Sequence, residues 1–419
     1  MTVGYYAQFG WDPVVLCVRP EDADRLVDHN LTETLPKDLT VVSVGAMPER
    51  ISRYFGVSAL GLRAWLSLER AGSIILKKGQ FDLVFISTTC FPAMALGRVW
   101  KARFGVPFVL DFQDPWATFP PSATPFIRRG AKHRFMHGLH HLLERWTVPA
   151  ADGLLAVSHA YIQLLHETYP VLLGKPSLAS PFGFRTADFA VAQRLGKPLS
   201  LDWDNPDTIT CLFAGAVPPA MERSLLAVFA AVAAGRALGL GIYCRMRFLF
   251  VGTGYARSGN PSVAARLAAQ AGISDAVVER PDRVPLLDAL RAMQRADVLL
   301  VLGSEDDGYT PSKMHQCLSM TKPIIAAAPP NSPVTQALAD IGSVLFISPE
   351  CALDRRYLED WSERLERLLL NPRFNDYRQR LNQANVYEAA TCAARDCALF
   401  RCVVEANDGF EAPSGDGAS

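Results

Sequence analysis

"ADVLLVLGSEDDGYTPSKMHQCLSMTKPIIAAAPP", residues 296–330, decides how the rest of this chain is read. Its two apolar runs, "DVLLVLG" (297–303) and "PIIAAA" (323–328), are short and unbroken, which suits strands buried on both faces of a parallel sheet. The polar turn and the helical stretch "SKMHQCLSM" between them complete a strand–helix–strand crossover. Thr310 is placed as an N-cap and Pro311 at the first helical position, where its missing N–H costs nothing, so the helix is expected to begin at Ser312. Lys313 in the first turn opposes the helix dipole by roughly 0.3–1 kcal/mol unless an anion is bound there. One phosphate on the Thr310 and Ser312 hydroxyls and the free N–H groups, with the next on Lys313, would remove that misfit. An ordinary turn with an exposed lysine explains the same residues without a ligand.

Outward from this unit the same rhythm recurs, with short apolar runs alternating with helical patterns as in doubly wound α/β folds. Strands are expected at 13–18, 40–45, 82–87, 107–112 and 153–158, and then at 210–215, 247–252, 276–280, 297–303, 323–328 and 343–348. The rhythm restarts after the polar, Pro-containing stretch "RLGKPLSLDWDNPDT" (194–208). The expected organisation is a Rossmann-like acceptor domain over 1–190, a linker over 191–208 and a second Rossmann-like domain over 209–372. Helices over 373–405 return to the first domain, and a disordered tail covers 406–419. Two such domains would face each other across a cleft at the carboxyl ends of their strands, where ligands of these folds bind.

At 419 residues the chain is long enough for two cores. Lys and Arg number 42 and so do Asp and Glu, so no global field points to nucleic acid, and any anion site must be local. Nine cysteines, with no C-x-x-C pair and no zinc spacing, read as buried small hydrophobes of a reducing compartment. With no long apolar span and no signal-like start, a cytoplasmic location is expected.

Strand 107–112 runs into Gln113, Asp114, Pro115 and Trp116, at the end of a parallel strand where reactive groups gather. Asp114 is the expected base or charge stabiliser, with Asp111 the other carboxylate. A plain capping aspartate is the alternative. Thr88, Thr89 and Phe91 after strand 82–87, with Trp116 and His159, are expected on the acceptor side, although capping by Ser87, Thr88 or Ser158 explains several of them. Residues 126–146 interleave Arg128, Arg129, Lys132, Arg134 and Arg145 with Phe126, Phe135, Leu139, Leu142 and Trp146. That mixture suits peripheral contact with an anionic bilayer at the inner face, or an amphipathic core helix. His133, His137, His140 and His141 share part of this segment, but no acidic or cysteine ligand completes a zinc set.

The opening stretch resembles the donor-binding segment of GT-B glycosyltransferases of the family 4-like type, in which a Y-T-P-S-K turn opens the helix that holds the nucleotide diphosphate. Residues 81–116, "ADGLLAVSHAY" (151–161) and "PFGFRTADF" (181–189) resemble the matching segments of the first domain. The resemblance implies transfer of a sugar from a nucleotide diphosphate sugar to a glycan or lipid-linked acceptor, without a metal or other cofactor. A bacterial polysaccharide or glycoconjugate assembly role goes with it. It places Tyr309, Thr310, Ser312 and Lys313 on the diphosphate, Gly215 on the loop facing the phosphates, Gly252 and Thr253 beside the nucleotide, and Val284 with Arg283 near the base. A non-catalytic nucleotide-sugar binder and a nucleotide-sugar epimerase are the other readings.

The chain departs from that pattern in three places. Gln316 stands where the family has a Glu for the ribose, which gives up a charge-assisted bond worth about 1 kcal/mol or more. Arg223 is the nearest cation to the expected Arg and Lys after strand 210–215. Residues 3–9, followed by Gly10, read as the last turns of a helix, so the family's central first strand and glycine-rich loop are missing; either the reading frame upstream of Met1 is expected to encode them, or the chain is a crippled relative.

Overall fold

The computed structural model describes residues 1–23, 29–54, 59–114, 116–117, 131–199, 205, 207–254, 262–305, 311, 313–320, 322–339, 341–347, 353–370 and 377–408. The chain divides into two compact units. One comprises Thr2–Arg25, Pro36–Phe182 and Cys392–Ser419, and the other Leu26–Leu35 and Gly183–Thr391, with Met1.

The first unit holds β1 (Val14–Val18), β2 (Thr40–Val44), β3 (Val84–Ser87), β4 (Phe108–Phe112), β5 (Gly153–Ala156) and β6 (Ser177–Ala179). All pairings are parallel, in the orders β1-β2 and β3-β4-β5-β6. Every residue of β4 and β5 is buried, as unbroken apolar runs require, whereas β1 and most of β3 are only half-buried. One face is covered by Trp65–Lys78 and Ala95–Phe104 through Leu68, Leu96 and Trp100. The other is covered by the 3-10 helix Thr2–Phe9 and by Ala389–Asp408 through Tyr6, Cys397, Phe400 and Val403.

The second unit holds β7 (Ile209–Ala214), β8 (Met246–Val251), β9 (Val277–Arg280), β10 (Val298–Leu302), β11 (Ile324–Ala327) and β12 (Val344–Phe346). They form one parallel sheet in the order β12-β11-β10-β7-β8-β9. The pleat sends Cys211, Phe213, Phe248 and Phe250 to one face, against Glu222–Ala237 and Arg355–Leu370. Leu212, Leu249, Leu299 and Val301 point to the other, against Leu286–Arg295 and Met314–Ser319. The strand order reverses between β7 and β10, which makes their carboxyl ends a topological switch point.

Each of the eleven runs read as strands lies on an observed strand, and β6 was not read. Helix Thr186–Leu195, assigned above to the first domain and the linker, belongs to the second unit. Gln294 Nε2 donates to Phe189 O at 3.3 Å and Lys197 N to Asp288 Oδ1 at 2.6 Å. Helix Tyr377–Asn385 also stays with the second unit, so within the expected 373–405 return only the chain from Cys392 onward packs on the first sheet. The opening turns are 3-10 rather than α, closed by Gly10 at φ +83°. Cys244 and Cys402 are exposed and Cys17 and Cys90 partly so, leaving Cys211, Cys317, Cys392 and Cys397 as the buried thiols among the described residues.

Candidate functional site

A cavity of about 400 Å³ opens at the switch point of the second sheet. Its floor is Leu212, Ala214, Val251, Leu300 and Leu302, at the carboxyl ends of β7, β8 and β10. Two glycine turns form the rim. Gly215 has φ +146° and donates to Val251 O at 2.9 Å, and Gly252 has φ +71° and donates to Arg280 O at 2.8 Å. A β-carbon at Gly252 would meet nothing within 4 Å, so the glycine is there for its backbone angle rather than for space. Val284 and Leu286 close one side, and Lys313, Met314 and Cys317 the other. The described lining includes two cations, Arg283 and Lys313, and no carboxylate.

Lys313 differs from its sequence reading. The helix is Met314–Ser319, two residues later than expected, and Lys313 occupies its cap position in αR geometry, with Met314 N donating to Pro311 O at 3.1 Å. Burial pushes the Lys313 ammonium below the ordinary lysine pKa, and no carboxylate pairs with it among the described residues. The short helix is held from behind by Arg380, which is fully buried. Its guanidinium donates to Cys317 O (3.0 Å), Met320 O (2.9 Å), Lys322 O (2.8 Å) and Ser343 Oγ (3.1 Å), satisfying carbonyls that a helix C terminus leaves orphaned. Sequence reasoning missed Arg380, which lies in the strongly polar segment "DYRQRLNQAN" with no local mark of burial.

Of the residues expected around the donor, Gly215, Gly252, Arg283, Val284 and Lys313 line this cavity. Tyr309, Thr310 and Ser312 lie outside the described residues. Gln316 lies outside the described lining, buried with its Oε1 lacking a hydrogen-bond partner among the described residues. Thr253 does not line the cavity, because its hydroxyl donates to Glu279 Oε1 at 2.5 Å. Arg223 is not in the lining either. It is exposed on Glu222–Ala237 and faces Glu305 at 3.7 Å.

In the first unit, Asp111 ends inside β4 and accepts from Ser87 Oγ at 2.6 Å and Gln113 Nε2 at 3.2 Å, while its Oδ1 has no partner among the described residues. Burial raises its pKa and those two bonds oppose the rise. Asp114, beyond the strand end, is exposed, yet partial desolvation raises its pKa too. Trp116 stacks on Phe91 at 5.8 Å and donates Nε1–H to His140 Nδ1 at 3.0 Å, so the three rings form one cluster. The Thr88 hydroxyl accepts from Cys90 N at 2.9 Å, and Thr89 is exposed. Ser158 caps His159–Thr168 by accepting from Tyr161 N at 3.3 Å, and His159 is exposed in its first turn. On Ala131–Thr147 the exposed Phe135, Leu142 and Trp146 recur at a spacing that aligns them on one stripe. Its expected basic neighbours Arg128, Arg129, Lys132 and Arg134 lie outside the described side chains. No helix among the described residues is long and apolar enough to cross a membrane.

Two parallel α/β units, one with its crevice at a switch point, define the class as the GT-B architecture with two Rossmann-like domains. Residues 1–171 match the family model of the glycosyl transferase 4-like domain. The chain is similar in structure to a UDP-forming α,α-trehalose-phosphate synthase from Burkholderia vietnamiensis (TM-score 0.59, 12% identity, covering 94% of this chain and 99% of that one). It is also similar to a sucrose-phosphate synthase from Thermosynechococcus elongatus (0.57, 14%, 96% and 92%) and a glycosyltransferase from Rickettsia africae (0.53, 13%, 94% and 98%). No protein of curated function matches it in sequence.

Proposed function

We propose that this protein is a glycosyltransferase that moves a sugar from a nucleotide diphosphate sugar to an acceptor hydroxyl. The observation that carries the reading is the switch-point cavity, with glycine turns on its rim, two cations in its described lining and a lysine ammonium held in a desolvated place with no counter-charge among the described residues. A diphosphate supplies that charge. In this reading Gly215 and Gly252 let the backbone approach the phosphates and Val284 and Arg283 flank the base, while Gln316, outside the described lining, is assigned to a ribose hydroxyl through its unpartnered Oε1. Tyr309, Thr310 and Ser312 complete the phosphate turn in this reading. As the bond from the anomeric carbon to the phosphate oxygen breaks, Lys313 stabilises the departing diphosphate, so the reading requires no metal.

Asp114 takes the proton of the acceptor hydroxyl, with Thr88, Thr89, Phe91, Trp116 and His159 on the acceptor side. The stripe of Phe135, Leu142 and Trp146 supports a lipid-linked acceptor reached at an anionic bilayer surface, as in bacterial glycoconjugate assembly. A non-catalytic nucleotide-sugar binder is the second reading, favoured by Arg223 engaging Glu305 outside the cavity. Incubation with a panel of radiolabelled nucleotide sugars and a membrane lipid extract tests the first against the second. Label passing to the lipid fraction supports transfer, whereas saturable binding of one nucleotide sugar with no transfer or hydrolysis supports the binder.

A further inference from the structure

The segment that carries Asp114 leaves β4 at Gln113 and runs to Trp116 and Ala117. Both of its ends are fixed. At the start, Gln113 Nε2 donates to Ser87 Oγ at 2.8 Å and to Asp111 Oδ2 at 3.2 Å, which ties it to the ends of β3 and β4. At the far end, Ala117 N donates to Glu144 Oε2 at 2.7 Å and Trp116 Nε1 to His140 Nδ1 at 3.0 Å. His140 and Glu144 stand about one helical turn apart on Ala131–Thr147, so two successive residues of the segment are held by one face of one helix. Phe91 closes on Trp116 as well, with the two rings 14° from parallel.

Glu144 is the costly member of this clamp. It is 1% exposed in the run "HLLERW", where a leucine would fill the place without the desolvation of a carboxylate. Both of its oxygens are engaged, since Oε1 accepts from Tyr169 Oη at 3.2 Å, just beyond His159–Thr168. A carboxylate that accepts a backbone N–H makes a bond about twice as strong as a neutral pair, which suits a residue kept for what it holds. His140 is matched to its part too. Burial, with the charges of His137 and His141, pushes its pKa below the ordinary value against the pull of Glu144, so the ring is neutral at neutral pH and Nδ1 is open to accept.

We infer that Glu144 and His140 are positioning residues, which fix through Ala117 N and Trp116 Nε1 the segment in which Asp114 meets the acceptor. The part of Asp114 as base rests on the function proposed above, whereas the clamp rests on these contacts alone.

The test therefore reads the segment without a substrate. The carboxyl ¹³C titration of Asp114 and the indole N–H exchange of Trp116, assigned through Asp114→Asn and Trp116→Phe, are compared in the full chain carrying Glu144→Leu or Glu144→Gln. Glu144→Gln removes the same charge as Glu144→Leu, but its amide oxygen still accepts from Ala117 N and its amide N–H can donate to Tyr169 Oη, so the difference between the two reads position rather than charge. Glu144→Gln is expected to keep the indole exchange within about threefold of the parent and the Asp114 pKa above the ordinary carboxylate range, where partial desolvation holds it. Glu144→Leu is expected to speed that exchange at least about tenfold and to return the Asp114 titration toward the ordinary range. His140→Leu leaves Glu144 in place and is expected to speed the indole exchange by itself, so it carries the test if Glu144→Leu does not fold. Folded Glu144→Leu or His140→Leu protein with the parent's indole exchange overturns the inference, as does Glu144→Gln behaving like Glu144→Leu. With labelled nucleotide sugar the two Glu144 variants are expected to differ about 10- to 100-fold in kcat at equal nucleotide affinity. A parent that transfers no sugar overturns the base role of Asp114 and not the clamp, which the exchange and the titration decide.

Discussion

Replacing Lys313 by Met separates a ligand-binding lysine from a structural one. In the free protein the Lys313 ammonium is desolvated, and no carboxylate offsets the cost among the described residues, so its pKa lies below the ordinary lysine value. The unfolded chain therefore holds this proton more tightly than the native state. Stability from this group rises with pH as the native state loses the proton through its depressed pKa. An apolar side chain of similar length removes that penalty, and the variant is expected to melt no lower than the parent at neutral pH. Binding moves the other way. A charge-assisted contact to a diphosphate contributes about 1.5–3 kcal/mol, which corresponds to a loss of about 10- to 150-fold in affinity. Calorimetric titration with UDP, GDP and ADP reads this directly. Because a bound diphosphate raises the lysine pKa again, binding near the depressed pKa takes up a proton, and affinity falls as pH rises through it. Affinity within twofold of the parent for the best nucleotide, or a loss of affinity that merely follows a lower melting temperature, refutes the role given to Lys313.

Asp114→Asn is expected to lower kcat by about 10²- to 10⁴-fold with little change in nucleotide affinity, and the parent's rate is expected to fall with acidity starting above the usual carboxylate range, because partial desolvation raises that pKa. Arg380→Met leaves three carbonyls and the Ser343 hydroxyl without their buried donor, for an expected loss of about 3–5 kcal/mol in urea unfolding. Asp396 accepts from Tyr6 Oη at 3.1 Å, and burial pushes its pKa up to about 6. Its raised native pKa gives stability that is full below about pH 4 and lost as pH rises through about 6, by up to about 3 kcal/mol, and Asp396→Asn is expected to flatten that profile in denaturant melts at pH 4.5 and 7.5.

What could be read in the sequence divides along the range of the interactions. Strands such as "CLFAG" and "LLVLG" announce themselves because a strand buried on both faces must be apolar at successive positions, a strictly local constraint. β6 has only Ser177, Leu178 and Ala179 beside a Pro and a Lys, too little apolar sequence to signal, and it is a strand only because β5 offers it an edge. The glycines at 215 and 252 follow from the resemblance, and the positive φ at each strand end is the local reason that Gly stands there. The start of Met314–Ser319 was not, because the Thr-Pro-Ser pattern marks a cap by propensity, whereas Arg380, more than sixty residues away, anchors the other end of that helix. Thr253 and Arg223 fell beside the cavity in sequence but outside it in space for a related reason, as Glu279 and Glu305 hold them elsewhere. The break in the first sheet stands between the two cases. The helical turns closed by Gly10 are a local signal, whereas the separation of β1-β2 from β3-β4-β5-β6 shows only in the ladders among the described residues. Local chemistry thus singled out Lys313 and the resemblance supplied Gly215, Gly252 and Arg283, while the contacts that hold them at one cavity are long-range and became visible only in the fold.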